Sequence, residues 1–165
     1  MKNTQENIAL PTFAVNLVTA DGERTISLPE LLNESGQGLV LYFYPKDNTQ
    51  GCSVQAVDFS QLKGAFADKG YQIIGVSRDG IKSHHNFINK KELSIDLISD
   101  TDETLCQHFD VIKEKMMYGK THLGVVRSTF VFDNAGQMVA SYRNIKAKEH
   151  AQTLLDMLVN SCQSA

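Results

Sequence analysis

Leu39-Val40-Leu41-Tyr42-Phe43-Tyr44 runs without a break into Pro45-Lys46-Asp47-Asn48-Thr49-Gln50-Gly51-Cys52. The first stretch is short, wholly apolar and rich in β-formers, which reads as a strand buried on both faces. Proline stops it and fixes the turn that follows. Beyond Cys52, Phe59, Leu62 and Phe66 recur three and four residues apart, the pattern of a helix with one inward face. Cys52 is therefore expected in the first turn of a helix that leaves a buried strand. Unpaired N–H groups and the helix dipole favour a thiolate there. Thr49, three residues earlier, brings a hydroxyl that both donates and accepts.

Working outward, the chain reads as strands and helices in alternation. Phe13, Val15 and Leu17 alternate like a strand, and Asp21-Gly22 is a turn. Leu28 to Leu32 reads as a short helical turn. Gly70 ends the helix that carries Cys52, and Gln72 to Ser77 is the next buried strand. Ser83 is expected to cap a helix bearing Phe87 and Ile88. Asp96-Leu97-Ile98 is a short strand. Asp100, with Glu103 three residues on, suggests a capped helix ending near Phe109. Ser128–Phe132 and Met138–Tyr142 flank Asp133-Asn134-Ala135-Gly136 as a hairpin. Ala151, Leu154, Leu155, Leu158 and Cys162 line one face of a last helix. This order predicts an α/β fold: a mixed central sheet with helices on both faces. At 165 residues a single domain spanning 1–165 is expected, with residues 1–9 as a loose lead-in.

Net charge is −3, from 16 basic and 19 acidic residues, so no footprint for nucleic acid or an anionic membrane is expected. No apolar run is long enough to span a bilayer, and residues 1–6 lack the apolar stretch of a signal peptide. The three cysteines, at 52, 106 and 162, are odd in number and form neither a zinc-type pair nor a Cys-x-x-Cys. That usage suggests a reducing compartment, the cytoplasm. Other motifs point elsewhere than to chemistry. Tyr118-Gly119-Lys120-Thr121 ends like a phosphate-binding loop, but Glu114 stands where that loop needs its first glycine. His84 and His85 are adjacent, so a helix would turn them about 100° apart, and they read as solvated or core-edge residues. Lys113-Glu114-Lys115 reads as a solvated face.

The Pro45, Thr49 and Cys52 spacing resembles the active-site loop of peroxiredoxins. The wider text resembles their bacterioferritin-comigratory, PrxQ-like branch: Tyr42 to Asp47, Asp79 onward, Ile98-Ser99-Asp100, Tyr118-Gly119-Lys120 and Arg127-Ser128-Thr129-Phe130. The resemblance implies a thioredoxin fold and a thiol-dependent peroxidase that needs no metal, haem or flavin. It implies that Cys52 attacks a hydroperoxide and becomes a sulfenic acid, with Thr49 orienting the peroxide. Arg127 would stabilise the negative charge, and Pro45 would shape and shield the pocket. A helix N-terminus alone contributes about 0.3–1 kcal/mol, up to about 2 when partly buried, so a second cation is needed, and the resemblance nominates Arg127.

Two positions depart from the branch. Gln50 replaces a proline common after the threonine. Val57 stands where many members carry a resolving cysteine, five residues beyond the peroxidatic one. The expected cycle therefore uses one cysteine and an external reductant: thioredoxin, glutaredoxin or a small thiol. A two-cysteine cycle through Cys106 or Cys162 remains open, as does a redox sensor or relay role. A thioredoxin-like binding module with a dead site is a further alternative, disfavoured by the intact Thr49, Cys52 and Arg127. By analogy with this branch, a monomer or weak dimer is expected.

Overall fold

The computed structural model describes residues 3–148 and 150–163. Seven strands form one sheet and two more form a separate hairpin. In chain order the elements are β1 (Ala14–Thr19), β2 (Gly22–Ser27), α1 (Leu28–Ser35), β3 (Gly38–Phe43), α2 (Gln50–Asp68), β4 (Tyr71–Ser77) and α3 (Ile81–Lys91). There follow β5 (Asp96–Ser99), α4 (Thr104–His108), β6 (Ile112–Met117), β7 (Lys120–Val125), β8 (Ser128–Phe132), β9 (Met138–Tyr142) and α5 (His150–Gln163). The large sheet runs β2-β1-β5-β4-β3-β8-β9. At its centre β3, β4 and β5 are parallel, joined by the crossover helices α2 and α3, while β1 and β8 flank them antiparallel. This mixed sheet between helices is the thioredoxin-like architecture that the sequence implied.

The apolar run around Val40 is buried at every position because both faces of β3 are covered. Alternation divides it between two cores. Val40 and Tyr42 face Phe59 and Phe66 of α2, Phe87 of α3 and Leu154 of α5. Leu39, Leu41 and Phe43 face Leu28 and Leu32 of α1, Leu105 of α4, and Phe109. Cys52 lies in the first core and Cys106 in the second, so the sheet stands between them.

Several elements differ from expectation. β2 is an added edge strand. Its Glu23, Arg24 and Thr25 are exposed, so it carries almost no apolar alternation to announce it. The β6–β7 hairpin takes up the stretch expected as a solvated face. Its two-residue turn, Tyr118-Gly119, has positive φ at both positions (54° and 76°), the geometry that matches strand twist. Tyrosine rarely occupies that conformation, so the turn signal was hidden. Ser83 is not a helix cap. Gly80 takes that position in α3, and the Ser83 hydroxyl donates instead to Asp47 Oδ2 at 2.8 Å. Asp100 is not the N-cap of α4, a position Glu103 holds, but its carboxylate accepts the N–H groups of Leu105 and Cys106 at 2.9 and 2.8 Å. Glu103 does not reciprocate, and pairs with Arg78.

The lead-in is tied down rather than loose. Thr4 N–H donates to the Ser141 carbonyl at 2.7 Å, and Arg143 Nε donates to Glu6 Oε2 at 2.8 Å. Arg143 also donates to the carbonyls of Phe109 and Asp110, and its guanidinium lies 5.1 Å over the Phe130 ring. Among the described residues no helix is long and apolar enough to cross a membrane.

Candidate active site

Cys52 sits at the third position of α2, with Thr49 at the N-cap. The first helical bond runs from Ser53 N–H to the Thr49 carbonyl at 2.8 Å. The N–H groups of Gln50, Gly51 and Cys52 therefore precede the helical ladder, and no acidic residue stands in this first turn. The Cys52 side chain is 2% exposed, against Tyr42, Phe59 and their neighbours in the core. Thr49 is exposed, and its hydroxyl donates to the Lys46 carbonyl at 2.8 Å; it makes no side-chain cap bond. The hydroxyl thus closes the turn from Pro45 in this state.

Arg127 comes from 75 residues further along the chain. It follows the β6–β7 hairpin and immediately precedes β8, which pairs with β3 so that Ser128 lies opposite Phe43. That register carries the guanidinium to the start of α2, where Nη2 donates to Cys52 Sγ at 3.4 Å. Nη1 donates to Gln55 Oε1, one helical turn beyond Cys52. Gly51 leaves room for this approach: a β-carbon there would lie 3.3 Å from Arg127 Nη2, tight enough to make the guanidinium give slightly, and 3.6 Å from Ala147 Cβ. Pro45 and Arg127 line a hollow of about 590 Å³ together with Lys115, Val126, Arg143 and Ile145. The structure thus brings Pro45, Cys52 and Arg127 to one place, with Thr49 in the connecting loop.

The loop is held from behind by a buried polar cluster that the sequence reading missed. The Asp47 carboxylate accepts the Tyr44 hydroxyl at 2.6 Å and the Ser83 hydroxyl, and its Oδ2 is hydrogen-bonded to His84 Nδ1 at 2.7 Å. His84 Nε2 donates to the Ile98 carbonyl at 2.9 Å, since a carbonyl can only accept. Asp47 N–H donates to Asp79 Oδ2, which also takes the Ser77 hydroxyl. His84 is fully buried, not solvated or core-edge as expected, whereas its neighbour His85 is partly exposed and pairs with Glu23. The one available signal was Asp47 itself, an acid four residues beyond the end of a buried strand.

His150, at the start of α5, is a second missed residue. Its Nε2 meets Thr129 Oγ1 at 2.9 Å, its ring stands edge-on to Phe59, and its Nδ1 is buried without a hydrogen-bond partner among the described residues. Burial, reinforced by the Arg127 charge, holds its pKa down at about 4. The same cation lowers the Lys115 ammonium pKa, after desolvation.

The remaining cysteines are placed differently. Cys106 is fully buried in α4, and burial together with the Asp100 carboxylate pushes its thiol far up. Cys162 lies in the last turn of α5, and its side chain is outside the described residues. Val57 is partly buried on α2. No group of three or more His, Cys, Asp or Glu among the described residues is placed to hold a metal ion.

Comparison with known proteins gives the family. The AhpC/TSA family matches residues 7–141. Peroxiredoxin Bcp of Xanthomonas campestris is 46% identical over 147 residues, covering 89% of each chain. Peroxiredoxin Bcp of Bacillus subtilis is 41% identical over 132 residues, 78% of this chain and 84% of its own. The structure of the Xanthomonas campestris bacterioferritin comigratory protein, studied in trapped intermediate and ligand complexes for its alkyl peroxide reduction activity, superposes with a TM-score of 0.81. It is 42% identical and covers 97% of this chain and 99% of that one.

Proposed function

Because the chain belongs to the AhpC/TSA family and is a peroxiredoxin, a thiol-dependent peroxidase, we propose that Cys52 is its peroxidatic nucleophile and that it runs a one-cysteine cycle. The observation that carries the assignment is the Arg127 guanidinium, 3.4 Å from Cys52 Sγ at the N-terminus of a 19-residue helix. A fixed positive charge and unpaired N–H groups converge on one sulfur. The thiolate attacks one oxygen of a hydroperoxide, an S–O bond forms and the O–O bond breaks. Hydroxide or alkoxide leaves and takes a proton. Arg127 and the first N–H groups of α2 stabilise the charge that builds on the oxygens. Thr49 turns its hydroxyl from Lys46 to the peroxide, and Pro45 walls the pocket and shields the product. Hydrogen peroxide and small alkyl hydroperoxides are the substrates; the alkyl peroxide activity named for the Xanthomonas protein supports the second class.

A single-cysteine cycle is supported by the sheet that separates Cys52 from Cys106, by burial of both, and by valine at 57. Bridging 52 and 106 would require a helix to open. An external thiol then reduces the sulfenic acid: thioredoxin, glutaredoxin or a small thiol. We place the protein in the cytoplasm as one domain over 1–165, a monomer or weak dimer.

The test is peroxide consumption by wild type, Cys52→Ser, and the Cys106→Ser, Cys162→Ser double variant. Cys52→Ser should be silent, while the double variant should turn over with either thioredoxin or a small thiol. If the double variant forms sulfenic acid yet loses thioredoxin-supported turnover, the one-cysteine cycle fails and a two-cysteine route replaces it.

A further inference from the structure

Beyond Pro45 the connection from β3 to α2 runs exposed. Lys46, Asn48 and Thr49 face solvent, and only Asp47 among them is buried. Asp47 is held by both its side chain and its backbone. Its carboxylate takes the hydroxyls of Tyr44 and Ser83 and is hydrogen-bonded to His84 Nδ1. Its backbone N–H donates to Asp79 Oδ2 at 2.9 Å. Asp79 lies just past the end of β4 and is itself fixed there. Its Oδ2 accepts the Ser77 hydroxyl at 2.6 Å, its N–H donates to the Ser77 hydroxyl oxygen at 3.2 Å, and its carbonyl accepts the Ser99 hydroxyl at 2.7 Å. Ser77 and Ser99 stand opposite each other at the ends of β4 and β5, in the parallel centre of the sheet.

The N–H of Asp47 and the C=O of Lys46 belong to one peptide group. That group is planar and trans, so its two ends point in opposite directions. Asp79 holds the N–H end. The C=O end accepts the Thr49 hydroxyl at 2.8 Å. One rigid plane therefore stands between the Asp79 carboxylate and the Thr49 side chain, and rotating it would carry away the oxygen on which Thr49 rests. The Thr49 backbone is fixed separately, by the bond from Ser53 N–H to its carbonyl at 2.8 Å. What the Lys46 carbonyl sets is the rotamer of the hydroxyl, three residues before Cys52.

We propose that Asp79 is a positioning residue for the peroxidase reaction: through the Lys46–Asp47 peptide it sets the side-chain orientation from which Thr49 meets the hydroperoxide. The proposal rests on the reading of Cys52 as the nucleophile and of Thr49 as the residue that orients the peroxide. Asp79 belongs to the sheet rather than to the loop, so it lends an exposed threonine the rigidity of the central strands. Without it the peptide is free to rotate and the hydroxyl samples other rotamers. A peroxide at Cys52 then finds it in place less often. The role needs an acceptor oxygen at this point, which an amide also supplies.

The experiment is a double-mutant cycle. Sulfenic acid formation at Cys52 is followed by stopped flow in wild type, Asp79→Ala, Asp79→Asn, Thr49→Val and the Asp79→Ala, Thr49→Val double variant. Asp79→Ala should slow it by about tenfold, and by no more than Thr49→Val does. Asp79→Asn should restore most of the rate. In the Thr49→Val background Asp79→Ala should cost nothing further, because the group it acts through is gone. Alkylation of Cys52 by iodoacetamide, which brings no peroxide to orient, should change less than about twofold in Asp79→Ala. A loss of the same size in both backgrounds would overturn the proposal, since a general loosening of the loop gives that result. So would alkylation that slows as much as peroxide attack, or an Asp79→Ala variant as fast as wild type. If Asp79→Ala does not fold, Ser77→Ala takes its place. It removes the hydroxyl that fixes Asp79 and should give a smaller loss that again vanishes with Thr49→Val; an equal loss in both backgrounds overturns the proposal here too. A wild type that forms no sulfenic acid, or a Thr49→Val variant as fast as wild type, would sink the reading of the site itself and this proposal with it.

Discussion

Cys52 and Cys106 occupy similar positions to opposite effect. Both are buried, both belong to helices that follow strands of one sheet, and both have charged partners nearby. At Cys52 the partner is a guanidinium reached through a strand register. At Cys106 it is the Asp100 carboxylate, whose oxygens take the backbone N–H groups of Leu105 and Cys106. One helix start is left open to an incoming anion, and the other is already occupied by one. A buried sulfur near a helix N-terminus is therefore not enough for the nucleophile proposed at Cys52: the neighbour's sign differs between the two sites, and at Cys106 the carboxylate adds to burial, the larger cause of its raised pKa.

The contrast is broken most sharply by serine substitution. Cys52→Ser should lower peroxide turnover by about 1,000-fold or more, while Cys106→Ser should retain most of it. Comparable losses in the two variants would erase the distinction. Next comes the cation. Arg127→Ala should slow sulfenic acid formation by about 100-fold, the scale of losing one charge-stabilising donor. Thr49→Val, which keeps the volume and loses the hydroxyl, should slow it less. Stopped-flow measurement at the Cys52 step reads both, and an unslowed Arg127→Ala would mean that the 3.4 Å contact is structural.

The third test concerns the histidine behind the Cys52 side. His150 titrates at about 4 in the folded chain against an ordinary value of 6.5. Between those values the unfolded chain binds the proton and the folded chain does not, so stability is full above about pH 6.5 and is lost as pH falls towards 4. Acidification from pH 6.5 to pH 5 should cost roughly 2 kcal/mol from this group, at ~1.36 kcal/mol per pKa unit. Urea unfolding across that range measures it, and His150→Gln, which does not titrate, should remove the slope. A wild-type slope unchanged by that substitution would assign the acid sensitivity elsewhere. The smallest effect sharpens the other side. Asp100→Asn removes the charge beside Cys106 but leaves it buried, and burial is the larger cause of its raised pKa. Alkylation of Cys106 should rise by less than about tenfold. If the variant instead made Cys106 as reactive as Cys52, charge alone would separate the two.

The sequence was legible where one physical demand fixed one pattern. The apolar run 39–44, the helix bearing Phe59 and Phe66, and the Asp133–Gly136 turn emerge as β3, α2 and the β8–β9 connection. Cys52 could be placed because strand, proline and helix start are local. Arg127 could not be placed from spacing; its role entered through resemblance, since only the β3–β8 register brings it across. The Asp47–His84 pair was illegible for a related reason. A histidine's burial depends on an acid 37 residues away, and adjacent His84 and His85 look alike until one is turned inward. The β6–β7 hairpin escaped because its tip puts tyrosine where turn rules expect glycine or asparagine.

The distance in sequence between Cys52 and Arg127 also has a meaning in time. Chains emerge N-terminus first, and segments fold as they become available. When β3 and the start of α2 have been made, Arg127, Ile145 and Ala147 do not yet exist, so nothing positive stands at the sulfur and nothing closes over Gly51. The nascent protein holds an unarmed cysteine. Arming waits for β8 to pair with β3, which comes late in synthesis and after every strand of the parallel centre has been made. On the proposed assignment, a chain truncated before residue 127 would thus carry Cys52 without the guanidinium beside its sulfur, and pairing of β8 with β3 would bring the two together.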